Sequence, residues 1–242
     1  LQNNDFTKKS LSAASLACYK AAVIKFYFWL YLENLRSDIP NIHRIMTPKI
    51  KHALPHSLTE IQILRLLNAP NLSSKLAIRD NAMLEILYAS GLRVSELLSI
   101  EINKIDLTIR CLRVMGKGRK ERIIPFGEEC AYWISRYASE VRSAFVRTKH
   151  IRFLFVEWNN QAISYHAFLR RFKKLAQIAG LAPSVTPHMV RHSFATHLMN
   201  RGACIRQIQR MMGHSDIGST AIYLRVARAR LKRIHAEHHP RG

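Results

Sequence analysis

Apolar residues recur at helical spacing over residues 10–35, where Leu16, Tyr19, Ala22, Val23, Phe26, Leu30 and Leu35 fall along one stripe. The spacing predicts one helix, with Ser10 or Ser12 as its cap. One helix cannot bury its own apolar stripe, so it needs partners that residues 1–9 do not supply in full. Residues 40–55 then carry Pro40, Pro48 and Pro55 together with Lys49, Lys51 and His52, a basic linker in which we place a domain boundary. Ser57-Leu58-Thr59-Glu60 reads as a capping box that opens a helix reaching about residue 68. A helix over 74–90 follows, with Gly91 at the left-handed position that ends it and a short helix over 93–98 directly after.

The period changes between residues 104 and 126. Ile105, Leu107, Ile109, Leu112 and Val114 alternate with polar residues, and Ile123 and Ile124 follow a basic turn, Gly116-Lys117-Gly118-Arg119-Lys120. This predicts a small antiparallel sheet with a hairpin. Helical spacing returns over 127–146, a short strand is predicted over 153–156, and a helix over 164–179 ends at Gly180. Pro187 suits the first turn of a helix bearing His188 and Arg191. Further helices are predicted at about 203–212, 217–225 and 226–237. The expected class is mainly α with a small antiparallel β-sheet (α+β), divided into residues 1–55 and 56–242. There is no internal repeat or low-complexity segment.

Composition adds a partner. The chain has 242 residues, 48% of them apolar, enough to build a sizeable core and too many for global disorder. Lys and Arg number 38 against 16 acids, a formal charge of +22 spread along the whole chain. Such an imbalance points to a polyanion, nucleic acid ahead of an anionic membrane. The four cysteines, Cys18, Cys111, Cys130 and Cys204, form no C-x-x-C pair, so neither a zinc site nor a disulfide framework is expected, and a cytoplasmic, reducing setting fits. No apolar run reaches the ~20 residues of a membrane span, and no signal peptide is recognisable. The first residue is Leu1 rather than Met, which fits a fragment, a non-standard start codon or a processed end.

The candidate chemistry is scattered. His188 and Arg191 are three apart and share a helix face. His214 follows Gly213 at a helix end, and Tyr223 lies nine residues on. Arg93 starts a helix after a tight turn, and Lys117 sits between two glycines at a hairpin tip. Alone, each has an ordinary reading: a surface arginine, a solvated turn, a structural histidine, a core aromatic. Together they match what cutting a phosphodiester with a protein nucleophile requires. A phenol must lose its proton, the nonbridging oxygens need fixed donors, and the leaving oxygen needs a proton. Asp80, Glu85, Glu96, Asp106 and Asp216 do not group into a Mg²⁺-binding set, so neither metal nor other cofactor is expected and arginines take the metal's place.

The segments GLRVSEL around Arg93, GKGRKER around Lys117, HMVRHSFATH with His188 and Arg191, GHSD with His214, and the Ile-Tyr pair ending at Tyr223 follow one another as in the tyrosine recombinase (phage integrase) family. The resemblance runs from about residue 58 to the end and is strongest to that family's chromosome-dimer resolvases. It implies that Tyr223 attacks the scissile phosphate to give a 3′-phosphotyrosine. Arg93 and Arg191 would bind the nonbridging oxygens, and Lys117 would protonate the leaving 5′ oxygen. His188 would act as acid/base partner, and His214 would hydrogen-bond the phosphate. It further implies double-stranded DNA as substrate and a tetramer on DNA, with a paralogous recombinase and a DNA translocase as candidate partners. The helix at 226–237 would dock on a neighbouring protomer. Residues 1–55 would then be the last part of a helical core-binding (SAM-like) domain plus its linker. Leu224-Arg225 departs from the family's usual Thr-His, and Phe155-Val156-Glu157 lacks a frequent proline. A type IB topoisomerase, a mobile-element integrase and a truncated DNA-binding remnant stay open as alternatives.

Overall fold

The aromatic-rich stripe near the N-terminus forms one helix, α1 (Ala13–Leu32). The structure, a computed structural model, describes residues 13–38, 40, 57–116, 121–146, 151–213, 236–237 and 239–241. The chain divides into two units, Leu1–Leu54 and Pro55–Gly242. In the first unit α1 stops short of residue 35 because Asn34 takes a left-handed φ of 54°. Leu35 N then donates to Leu30 O and Asn34 N to Tyr31 O, a paired closure of the last turn. Tyr19, Phe26, Phe28, Trp29 and Tyr31 are exposed on this helix. The predicted caps Ser10 and Ser12 lie outside the described residues.

In the second unit, α2 (Glu60–Leu67) begins two residues later than the predicted box implies. Thr59 is the cap: its Oγ1 accepts from Gln62 N at 3.2 Å, and Gln62 Oε1 accepts from Thr59 N at 2.9 Å. Leu58 explains the slip. It is buried, its N–H donates to Ser193 Oγ at 2.7 Å, and its carbonyl meets His197 Nε2 at 2.9 Å. The backbone there is already committed elsewhere and cannot be the helix's first turn.

The central element is α3 (Lys75–Ser90), capped by Ser74 and buried without interruption from Ala77 to Ser90. It packs against α5 (Glu128–Arg136) and α8 (Pro187–Asn200). A helix enclosed on all sides carries no one-sided stripe. Its charges are therefore held by partners: Arg79 donates to Val156 O at 3.3 Å, and Asp80 accepts from Arg171. Gly91 ends α3 at φ 58°, and α4 (Val94–Leu98) follows.

Three strands, β1 (Ile105–Asp106), β2 (Cys111–Met115) and β3 (Glu121–Pro125), form an antiparallel sheet in sequence order. Met115 pairs with Glu121, so the predicted hairpin forms; residues 117–120 at its turn lie outside the described residues. The helix predicted over 127–146 is α5, a wider π-helical stretch over Tyr137–Arg142, and α6 (Ser143–Phe145).

The predicted strand at 153–156 does not form; only isolated bridges, Glu101 with Phe153 and Val156 with Ala162, are present. Side chains take the ladder's place. Tyr137 OH donates to Leu154 O and accepts from Val156 N, while Arg142 donates to the carbonyls of Ile151, Phe153 and Leu154. Leu154 N also donates to Ile100 O at 2.7 Å, so side chains of the helix together with single backbone contacts satisfy this apolar run without a continuous ladder. Next come α7 (Tyr165–Ile178), α8 with Pro187 in its first turn, and α9 (Ile205–Met212), ended by Gly213 at φ 70°. The helices predicted at 217–225 and over most of 226–237 lie outside the described residues. Among the described residues no helix is long and apolar enough to cross a membrane.

Candidate active site

Arg93 stands at the cap position of α4, where the turn after Gly91 delivers it. Its N–H donates to Glu96 Oε2 at 2.8 Å and its Nη1 to Glu96 Oε1 at 3.1 Å, yet 45% of the side chain stays exposed. Arg191, in the second turn of α8, is 3% exposed. Its Nη1 donates to Gly91 O and its Nη2 to Met212 O at 2.7 Å, tying the guanidinium to the ends of α3 and α9. Both acceptors are last-turn carbonyls or their neighbours, groups that a helix leaves unsatisfied and electronegative. Burial lowers the Arg191 pKa to about 10, Arg93 beside it adds to the effect, and Glu96 opposes it. Arg191 therefore remains a cation at neutral pH.

Arg122 completes the group. It grips Glu96 with two bonds, Nη1 to Oε1 at 3.0 Å and Nη2 to Oε2 at 2.8 Å, and its Nε donates to Met211 O at 2.9 Å. Burial pushes the Glu96 carboxyl up, but the bonds from Arg122 and Arg93 outweigh it and hold the pKa below the ordinary value. One carboxylate thus organises three guanidiniums, with Arg191 Nη1 3.8 Å from Oε2. Three positive charges against one negative leave a pre-ordered cationic site suited to a phosphate.

Arg93, His188 and Arg191 line one cavity of about 510 Å³, and Tyr165, Phe172 and Lys173 of α7 form part of its wall. His188 is exposed in the first turn of α8, directly after Pro187. The other three predicted site residues, Lys117, His214 and Tyr223, lie outside the described residues. Among the described residues no group of His, Cys, Asp or Glu is placed to hold a metal ion.

The sequence reading overlooked Glu96 and Arg122. Glu96 entered it only as an acid that fails to join a metal-binding set. A signal was there: Glu96 lies three residues after Arg93 at a helix start, the spacing of a reciprocal cap. Arg122 shares a strand face with buried Ile124 and pairs with Val114, so alternation alone points it inward.

The description "Phage integrase family" fits residues 56–230, most of the second unit. The chain belongs to the phage integrase family. The tyrosine recombinase XerD of Proteus mirabilis is 44% identical over 235 residues, covering 97% of this chain and 74% of the relative. The crystal structure of XerA recombinase is 32% identical, covers 98% of this chain and 80% of its own, and superposes with a TM-score of 0.61. The structure of XerH recombinase bound to its difH substrate after cleavage shares the fold at 22% identity and a TM-score of 0.73, over 93% of this chain and 64% of its own. The α+β class expected from the sequence is therefore that of a recombinase catalytic domain, and the protein is a site-specific tyrosine recombinase of the Xer type.

Proposed function

We propose that this recombinase breaks and rejoins double-stranded DNA with Tyr223 as nucleophile. Tyr223 Oη attacks the scissile phosphorus, the bond to the 5′ oxygen breaks, and a 3′-phosphotyrosine forms. Arg93 and Arg191 neutralise the nonbridging oxygens as charge builds in the transition state. Lys117 protonates the departing 5′ oxygen, His188 exchanges the tyrosine proton, and His214 donates to the phosphate. The phosphotyrosine bond keeps the energy of the broken diester, so the reverse attack by a 5′-hydroxyl needs neither nucleotide nor metal.

The observation that carries this reading is the convergence of Arg93, His188 and Arg191 on one cavity, with Arg191 fixed by two backbone carbonyls. At the level of assembly, a tetramer on DNA with a paralogous recombinase resolves chromosome dimers in the cytoplasm, with a DNA translocase as activator. Residues 1–55 contribute a helical core-binding element and linker. The relatives' XerD names support this role over a topoisomerase or a mobile-element integrase.

The test is a nicked suicide duplex that traps the covalent intermediate. Tyr223→Phe abolishes trapping while DNA binding persists; trapping by the variant would overturn the assignment. Lys117→Ala is expected to cleave poorly and to recover on a duplex whose leaving oxygen is replaced by sulfur, which departs without a proton. A +22 chain on DNA also gives an affinity that falls steeply with salt.

A further inference from the structure

Arg191 is aimed by two backbone carbonyls, and the two are held differently. Gly91 O belongs to a residue against which the Phe194 ring presses; a Cβ on Gly91 would stand 2.8 Å from Phe194 Cε1. Met212 O lies at the C-terminal end of α9, a helix of eight residues. The neighbouring carbonyl of that turn, Met211 O, accepts from Arg122 Nε at 2.9 Å. Two arginines therefore grip adjacent carbonyls of one helix end, and Arg122, on β3, ties that end to the sheet.

The same guanidinium holds Glu96. Nη1 and Nη2 donate to different carboxylate oxygens, at 3.0 and 2.8 Å. All three Arg122 nitrogens are thus engaged within the protein, and its side chain is 12% exposed. Arg93 is placed in the opposite way. Its side chain is 45% exposed, and its guanidinium reaches Glu96 through Nη1 at 3.1 Å. A phosphate entering the cavity competes with Glu96 for Arg93 and Arg191, because carboxylate and phosphate take the same donors. Glu96 must stay behind when Arg93 exchanges its bond. A planar fork with a third bond to a helix end can hold it there; the point charge of a lysine cannot.

We infer that Arg122 is a positioning residue for strand cleavage. It retains Glu96 and the end of α9, so that Arg93 and Arg191 meet the scissile phosphate already aimed, and it touches neither the DNA nor the reacting atoms. This rests on the proposed roles of Arg93 and Arg191 at the nonbridging oxygens. It also makes the contribution of Arg122 depend on the charge of the phosphate. An arginine that only stabilised the fold would matter equally whatever that charge.

The experiment uses the full chain with Arg122→Met and Arg122→Lys on two nicked duplexes. One carries the ordinary scissile phosphate. In the other an uncharged methylphosphonate replaces it. Covalent trapping is measured at saturating protein, with DNA affinity and the urea midpoint alongside, and each variant's rate is divided by that of the wild type on the same duplex. On the phosphate both variants should trap about 10- to 100-fold more slowly, the effect of a small misplacement of a catalytic group. On the methylphosphonate, with no charge to neutralise in the ground state and less in the transition state, most of that deficit should disappear. DNA affinity should hold. An equal deficit on both duplexes overturns the inference, as does wild-type trapping by Arg122→Lys. If Arg122→Met fails to fold, Arg122→Lys, which keeps the charge and the aliphatic stem, carries the same comparison. Arg191→Ala separates the two readings: if the methylphosphonate relieves its deficit and not that of the Arg122 variants, only the inference fails. If Arg191→Ala traps normally on the phosphate, the reading of the site fails.

Discussion

Two buried glutamates, Glu96 at the catalytic cavity and Glu85 on α3 beside Arg241, show how the same side chain is used in opposite ways. Both are largely withdrawn from water. Glu96 meets three guanidiniums and a backbone N–H, and although burial pushes its pKa up, those partners bring it below the ordinary value. At Glu85 burial dominates, Arg241 opposes it, Glu129 adds to it, and the pKa rises to about 7. Depth therefore says little about an interior acid; the number and geometry of its cations decide. Where the arginines must be fixed before substrate arrives, one carboxylate is saturated with them. Glu85, among the described residues, has one cation in bonding range, Arg241.

The largest way to break this comparison is Glu96→Gln. It leaves Arg93, Arg122 and Arg191 close together without the charge that holds them. Removing one member of a buried ionic group costs about 3–5 kcal/mol, and a loss of that order in urea unfolding is expected. Cleavage should fall by at least the ~10²-fold seen when a single transition-state donor is misplaced or lost. The sign with pH is also fixed. A carboxyl held below its unfolded value adds stability above the ordinary carboxylate range and loses it as the pH falls through the folded value. The variant lacks that acid-side loss.

Glu85→Gln is the next in size and has the opposite sign. Its folded pKa, about 7, stands above an ordinary value of 4.5. The folded state therefore binds the extra proton, and this group's stabilisation is complete below the unfolded pKa and lost as the pH rises through the folded one. The shift corresponds to about 3 kcal/mol between acid and mildly alkaline pH. Urea midpoints of the wild type should decline across that window beyond what the Gln variant shows. Parallel pH profiles would mean that Arg241 pairs with Glu85 more completely than the 3.1 Å contact implies.

What was legible in the sequence follows from how local each signal is. The end of α3 at Gly91, the opening of α8 at Pro187 and the hairpin at 111–125 rest on residues that act within a turn of themselves, and each formed as read. The strand at 153–156 is reduced to isolated bridges, and Tyr137 and Arg142 of the preceding helix take several of the backbone groups a ladder would have used. The capping box slipped for a similar reason, since Ser193 and His197 claim Leu58 from more than a hundred residues away. At the site, Arg93, His188 and Arg191 could be chosen by family spacing. Glu96 and Arg122 could not, because their importance lies in whom they touch across α4, β3 and α9. Likewise, nothing in the His-Pro-Arg ending announces Glu85, which reads in the sequence as one more acid on a helix.

The smallest effect tests how much slack the Glu96 group has. Gly213 ends α9 at φ 70°, and a Cβ there would stand 2.8 Å from Arg122 Nη1. Gly180 has nearly the same backbone, φ 67°, with nothing within 4 Å of its Cβ position. Gly180→Ala therefore reports the left-handed strain alone, about 1 kcal/mol. Gly213→Ala carries that strain plus whatever it costs to push the Arg122 guanidinium off Glu96 and Met211 O. The end of an arginine is flexible, so the extra loss should be under about 1 kcal/mol, with a few-fold drop in cleavage. A much larger difference between the two variants would show that Arg122 has no alternative position, and that the cationic cluster is as rigid as the Phe194 contact at Gly91. No difference at all would mean that Arg122 rearranges freely and that Glu96 is organised chiefly by Arg93 and Arg191.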